Sequence, residues 1–272
     1  MDKYKYVFVV LLYRNMKDII DLIHSINEKL SRQAHIVLVN SYYNDVSLQQ
    51  ANKIASDYNC SIVNTENKGY GHGNNQGIKY TLDNFKFDYL IICNPDTTIR
   101  DFNASSLLAS DVPAIYAPKI VARTGKLQNP HWAFHSNLLE YFQYIGDKHE
   151  WKIPDYFVIA VLKGARILTA KYADRFHKQR IKVGSAHGSF LIASRSASER
   201  LYPFYDENMF LFYEEVYLGN KTYVRNIPTY YVKDIVVDHK EDGSMRIANV
   251  NLRKESHKSV VYYYEHKEKK WK

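Results

Sequence analysis

The strongest constraint on this chain is an alternation of apolar runs and amphipathic stretches along residues 6–93. Residues 6–13 are a run of aliphatic and aromatic side chains that reads as a buried strand. Ile19, Leu22, Ile23, Ile26 and Leu30 then recur at helical spacing, with Asn15 as the cap and Asp18 three residues later. Residues 35–39 read as a second strand, and Ser47 opens a helix that turns Leu48, Ala51, Ile54, Ala55 and Tyr58 inward. A short third strand at 61–63, a glycine-rich loop at 68–73, a helix at 75–82 and a fourth strand at 89–93 follow. Strands alternating with helices build right-handed βαβ units on a parallel sheet. The expected fold class is therefore α/β, Rossmann-like, with a mostly parallel central sheet. All loops at the carboxyl ends of its strands share one edge, where ligands bind. That edge collects residues 14–15, 40–44, 64–73 and 94–97.

The fourth strand stops at Asn94-Pro95-Asp96-Thr97. Pro95 cannot continue a ladder, so Asp96 is held at the strand's carboxyl end. A carboxylate there suits a divalent cation shared with phosphates. The competing reading is an ordinary turn, because Asn, Pro and Asp all favour turns.

Composition narrows the classes. The two cysteines, Cys60 and Cys93, fall in expected strands and read as core residues of a reducing compartment rather than a disulfide framework. No leader and no run long enough to span a bilayer is evident, so a cytoplasmic protein is expected. The net charge of +8 favours acidic partners, phosphates or anionic lipid among them. No nucleic-acid motif is present, and none is expected as a partner. The 24 tyrosines suit sugar stacking, wet pockets or membrane interfaces, and equally ordinary strands.

The second half is less regular. Residues 114–121, 187–194, 223–227 and 230–237 are strand-like, 213–220 reads as a short helix, and 123–185 carries no clear pattern. Residues 251–272 form a basic, tyrosine-rich tail. Its lysines at 254, 258, 267, 269, 270 and 272, with Tyr262, Tyr263, Tyr264 and Trp271, would suit an anionic membrane surface; packing of 260–264 on the core is the alternative.

Several motifs carry possible chemistry. The glycine run at 69–77 does not fit a dinucleotide fingerprint, because Asn74 or Gln76 stands where a glycine is required. Glycines before a helix N-terminus can still let the backbone approach a phosphate or sugar. His131 and His135 have zinc-helix spacing, but Trp132 occupies the glutamate position, so core or surface histidines are expected. Glu214 and Glu215 are adjacent, about 100° apart on a helix, so only one is expected to face a pocket. That one could be a general base beneath Phe210, Phe212 and Tyr213, and a solvated charged face is the alternative. His239 closes a strand and could bind metal, although a lone histidine usually does not.

Taken in order, these motifs resemble inverting family 2 glycosyltransferases of the GT-A fold, and among them the rhamnosyltransferase-like enzymes of bacterial cell-surface polysaccharide synthesis. The resemblance covers residues 6–122 and 184–244. Its anchors are Tyr13-Arg14-Asn15, Val39-Asn40-Ser41, Asn67-Lys68-Gly69-Tyr70-Gly71 with Asn74-Asn75-Gln76-Gly77, Cys93-Asn94-Pro95-Asp96, Gly188-Ser189-Phe190, Tyr205-Asp206-Glu207, Tyr213-Glu214-Glu215, and His239 with Gly243-Ser244. Each is loose alone; their order makes them specific.

The resemblance implies a GT-A domain over 1–250, with a nucleotide-sugar half to residue 122, an acceptor half from 123 and the basic tail beyond. It implies transfer of rhamnose or a hexose from dTDP-rhamnose or a UDP-hexose to a lipid-linked glycan, at the inner face of the membrane. Glu215 stands at the catalytic base. Asp96 matches the metal-binding aspartate for Mg²⁺ or Mn²⁺, and His239 a histidine that can complete that site. Tyr13, Asn15, Asn40, Asn67, Gly69, Asn74, Asn75, Asn94, Gly188 and Glu214 lie in the motifs expected to bind substrate. The chain departs from the family pattern at Asn40 and Glu215, each in place of aspartate, and at Tyr217, in place of a common second aspartate. A GT-A protein that binds a sugar nucleotide or glycan without efficient catalysis is the alternative.

Overall fold

The computed structural model describes residues 1–13, 16–241 and 252–269. Its first part runs β1 (Asp2–Leu12), α1 (Asp18–Leu30), β2 (Ala34–Tyr42), α2 (Asp45–Asp57), β3 (Ser61–Glu66), α3 (Tyr70–Asn84) and β4 (Phe85–Cys93). Strand β1 pairs in parallel with β2 and β4, and β2 with β3, as the alternation requires. Side chains alternate across β1: Tyr6, Phe8, Val10 and Leu12 pack with α1 and α2, while Val7 and Val9 pack with Ile78 of α3. Burial on both faces is why these strands read as unbroken apolar runs.

Local details differ from the sequence reading. Asn15 lies outside the described residues, and the α1 N-cap is Lys17, which makes no side-chain cap bond. Asn44, not Ser47, caps α2. Its side chain accepts the Ser47 N–H at 2.8 Å and Ser47 Oγ accepts the Asn44 N–H at 3.3 Å, a reciprocal capping box. The glycine run is mostly inside α3 rather than ahead of it. A Cβ at Gly73 would stand 2.5 Å from Leu11, and one at Gly77 2.4 Å from Val39. These glycines let α3 press on β1 and β2. Only Gly69 precedes the helix, at φ +109°.

The second part contains β5 (Thr97–Phe102), β6 (Ile115–Ala122), α4 (Asn137–His149), α5 (Lys152–Arg175), β7 (Ile181–Val183), β8 (Phe190–Ser194), α6 (Arg195–Leu201), α7 (Glu214–Val224), β9 (Thr229–His239) and α8 (Leu252–His266). The sheet order is β3-β2-β1-β4-β8-β6-β9-β5, with β7 also on β9. Strand β8 runs antiparallel to β4 and β6, and β5 and β7 antiparallel to β9, so the sheet is mixed. Residues 223–227, expected as a strand, close α7 and the turn after it. The patternless stretch 123–185 holds the α4–α5 pair. Its helices escape the periodicity test because large apolar residues occur on both their buried and exposed faces.

The tail is not a free extension over 252–266. Helix α8 packs on α4 and buries Val260 and Tyr263. Tyr263 donates to Glu140 at 3.1 Å, Tyr264 stacks on Tyr144 at 4.4 Å, and Tyr262 donates to Asp206 at 3.2 Å. Lys267 pairs with the buried Glu140. Aromatics expected at a headgroup layer are thus used within the fold. Lys270, Trp271 and Lys272 lie outside the described residues.

Candidate active site

Strand register assembles the site. After β4 the chain turns at Asn94–Thr97, closed by the Thr97 N–H to Asn94 O at 3.3 Å. Strand β5 starts at Thr97, whose partner across the antiparallel pair is His239, the last residue of β9. The Lys240 N–H donates to Asp96 O at 2.9 Å, and His239 Nε2 lies 3.3 Å from Asp96 Oδ1. The start of β8 fits alongside, with Cys93 opposite Phe190 and the Asn94 N–H donating to Ser189 O at 2.9 Å. That places His187 and Gly188 beside Asp96. The rings of His131, His187 and His239 form a row, with centroids 5.8 and 6.1 Å apart.

The far end of the row is the carboxylate pair. Phe212 and Tyr213 both take left-handed backbone, at φ 72° and 71°. Such conformations in bulky residues are costly and cluster at functional sites. They aim the start of α7 so that Glu214 and Glu215 both line one cavity, against the expectation that only one would. The 100° rule fails here because helical side chains lean toward the N-terminus, and the first two residues project past the helix end. The Gly188 N–H donates to Glu215 Oε1 at 3.2 Å. A Cβ at Gly188 would stand 2.8 Å from that oxygen, so glycine permits the contact.

The two carboxyls sit in opposite states. Burial and the Glu215 charge push Glu214 up to about 8, and its Oε1 has no hydrogen-bond partner. Burial also pushes Glu215 up, but His131, His187 and the N–H groups of Glu215 and Gly188 hold it below the usual carboxylate range. Glu215 is the charged member and Glu214 the protonated one. Glutamine is therefore a close mimic of native Glu214, and Glu214→Gln should keep turnover within a few-fold. A buried acid with a raised pKa loses stability as pH rises from its ordinary 4.5 to about 8. The variant should remove that slope, up to about 1.4 kcal/mol per pH unit. Urea midpoints of both proteins at about pH 5 and about pH 8 measure it.

The cavity has a volume of about 850 Å³. Tyr13, Asn67, Gly69, Asn94, Asp96, Gly188, Glu214, Glu215 and His239 all line it. Among the described residues, three of the sequence reading do not, and Asn15 lies outside the described residues. Asn40 is buried and donates to Asn64 at 2.9 Å, tying β2 to β3. Asn74 donates to Tyr70 O at 3.0 Å within α3. Asn75 donates to Tyr205 O at 2.9 Å and accepts the N–H groups of Phe204 and Tyr205 at 3.1 and 3.2 Å, clamping that loop to α3. Ser41, beside Asn40, lines the cavity instead. Sequence reasoning missed His187, although it adjoins Gly188. It set His131 aside with His135, yet the two diverge. His131 lines the cavity, whereas His135 stacks on Tyr223 at 4.0 Å. It also missed Arg166 of α5, whose guanidinium donates to the carbonyls of Pro130, Leu127 and His131 at 2.8, 3.1 and 3.3 Å.

The Asp96 end fits a divalent cation that substrate phosphates complete. Among the described residues no group of three or more metal-binding side chains forms a closed site. His239 Nδ1 lies 2.8 Å from Gln128 Oε1, which leaves Nε2 directed at the Asp96 carboxylate. A carboxylate and an imidazole nitrogen side by side, on residues nearly shielded from water, are a donor set that suits a divalent cation. Mg²⁺-type ions are commonly held by one or two protein groups plus phosphates.

Known proteins match on the same elements. The profile described as Glycosyl transferase family 2 matches residues 7–201. A low-salt glycan biosynthesis hexosyltransferase, Agl10 of Haloferax volcanii, is 26% identical over 211 residues, covering 76% of this chain and 58% of that protein. This chain thus spans little more than half of that relative's length. The crystal structure of GalNAc-T7 with UDP, GalNAc and Mn²⁺ has a TM-score of 0.59 at 12% identity, covering 87% of this chain and 44% of that one. S. aureus TarS 1–349 in complex with UDP-GlcNAc has a TM-score of 0.51 at 13% identity, covering 96% and 71%. The structural likenesses carry the α/β GT-A architecture with its mixed sheet. With a family profile spanning β1 to α6, over most of the chain, this protein belongs to glycosyl transferase family 2.

Proposed function

We propose that this chain transfers a sugar, rhamnose or a hexose, from a nucleotide-sugar donor to a hydroxyl of a growing glycan, with inversion. One observation supports this above all: Asp96 with His239, and Glu215 with Glu214, stand on the walls of the same cavity at the carboxyl edge of the sheet. The acceptor oxygen bonds to the anomeric carbon as the bond to the diphosphate breaks, and Glu215, the charged carboxylate, takes the hydroxyl proton. Asp96 and His239 would hold Mg²⁺ or Mn²⁺, which when bound supplies positive charge for the leaving diphosphate. Tyr13, Asn67 and Gly69 form the donor side of the cavity, and α5 with the start of α8 the acceptor side. The name of the Haloferax relative, a hexosyltransferase of glycan biosynthesis, agrees with a glycan acceptor; a lipid-linked glycan fits the inference below.

The test is nucleoside diphosphate release with dTDP-rhamnose, UDP-galactose, UDP-glucose and UDP-GlcNAc in the presence of Mn²⁺ or Mg²⁺. One donor should turn over with an acceptor present and should raise the melting temperature, because it binds only the folded state. Thermal stabilisation with no diphosphate release from any donor would instead assign a sugar-nucleotide-binding protein.

A further inference from the structure

The α4–α5 pair carries an exposed apolar face that the transfer reading does not use. Ile153, Tyr156 and Leu168 of α5 are 83, 67 and 69% exposed, and Phe157, Tyr172 and the adjacent Phe176 are also exposed. On α4, Leu138, Tyr141 and Phe142 are exposed, and Phe142 meets Phe157 edge-on at 6.0 Å, which joins the two helices into one patch. Trp151 stands at the turn between them, stacked on His149 at 5.0 Å. Contiguous apolar surface of this kind marks an interaction site.

Charge decides among occupants. Lys152, Lys171 and Arg175 lie on α5 outside the cavity, and no carboxylate pairs with the two lysines among the described residues. Of the acidic residues of α5, Asp155 packs against Gly146, while Asp174 is exposed and lies 3.7 Å from Lys233. Glu150, in the turn, is an exposed carboxylate set against these cations. Cations interleaved with Trp, Tyr, Phe, Ile and Leu along a helix are the composition of an element that lies in a bilayer interface. No described helix is long and apolar enough to cross a membrane. At 24 residues, α5 would lie along the surface for about 36 Å.

We infer that the α4–α5 face docks this protein on an anionic lipid bilayer, in the place first expected of the C-terminal tail. The docking itself does not depend on the transfer reading. It gives that reading a geometry, because the opposite side of α5 lines the cavity through Val158, Leu162 and Arg166. A docked α5 would set the cavity beside the headgroups, where the sugar of a lipid-linked acceptor lies.

Vesicle flotation tests this without any need for turnover. The full chain should float with phosphatidylglycerol–phosphatidylcholine vesicles and poorly with phosphatidylcholine alone, and raised salt should weaken it. The double variant Ile153→Asp/Leu168→Asp should bind at least about tenfold more weakly, and Lys152→Glu/Lys171→Glu should lose most of the preference for anionic lipid. These positions are exposed and outside the cavity, so unchanged circular-dichroism melts are expected of both. Flotation of the apolar double variant equal to wild type would overturn the proposal, as would no flotation of wild type. Sedimentation velocity showing a dimer that Ile153→Asp/Leu168→Asp dissociates, without vesicle binding, would also overturn it, by assigning the face to a second copy. If wild type floats while no donor turns over, the docking stands and only the transfer reading falls.

Discussion

Glu215→Gln should reduce turnover at least about 100-fold while leaving donor affinity nearly unchanged, since a positioned general base contributes about 10²–10⁴-fold. The amide keeps the shape and can still accept the Gly188 N–H that holds Glu215 Oε1 at 3.2 Å, but it cannot take a proton. Its neighbour is the internal control. Glu214 is 3% exposed and already protonated, so its amide should be tolerated. The pH profile supplies a second readout. Glu215 is held below its ordinary 4.5, so the acid limb of kcat/KM should lie below that value. Steady-state kinetics with the identified donor, from about pH 4 to about pH 8, measure both. An inactive Glu214→Gln beside an active Glu215→Gln would move the base by one residue.

Asp96→Ala should lower turnover on the order of 10³-fold, because charge stabilisation at a leaving diphosphate is worth several kcal/mol. It should also remove the metal-dependent part of donor affinity. The fold should survive: the Asp96 side chain meets His239, while the turn is held by the backbone bonds from Thr97 to Asn94 and from Lys240 to Asp96. Calorimetric titration of donor with and without Mn²⁺ separates the roles. Wild type should bind more tightly with the ion and the variant should not distinguish the two conditions. Equal metal dependence in both proteins, with turnover intact, would remove Asp96 from the cation site.

These predictions rest on residues that differ in how far sequence alone exposes them. The βαβ order through β4 follows from local period and burial, because strands covered on both faces must be apolar throughout. Asp96 was legible because proline ends a strand and leaves the next residue at the sheet edge. Glu215 was singled out only through the family resemblance, and its charge state depends on His131, His187 and Gly188 from distant segments. Asn40, Asn74 and Asn75 looked like ligand contacts, because an asparagine that ties β2 to β3 or clamps the 204–207 loop has the same letter as one that binds a sugar. His187 borders the Gly188 motif but carries no signal of its own, and Arg166 lies in a stretch without a pattern. The sequence by itself determined the strand–helix alternation and the sheet edge at which β4 ends in Asp96, local consequences of period and turn chemistry. Only the tertiary structure decided that Asp96 meets His239, that both glutamates face one cavity, that α8 folds its tyrosines inward and that the α4–α5 pair leaves its apolar face outside. Each of these depends on long-range register and packing, which no window along the chain contains.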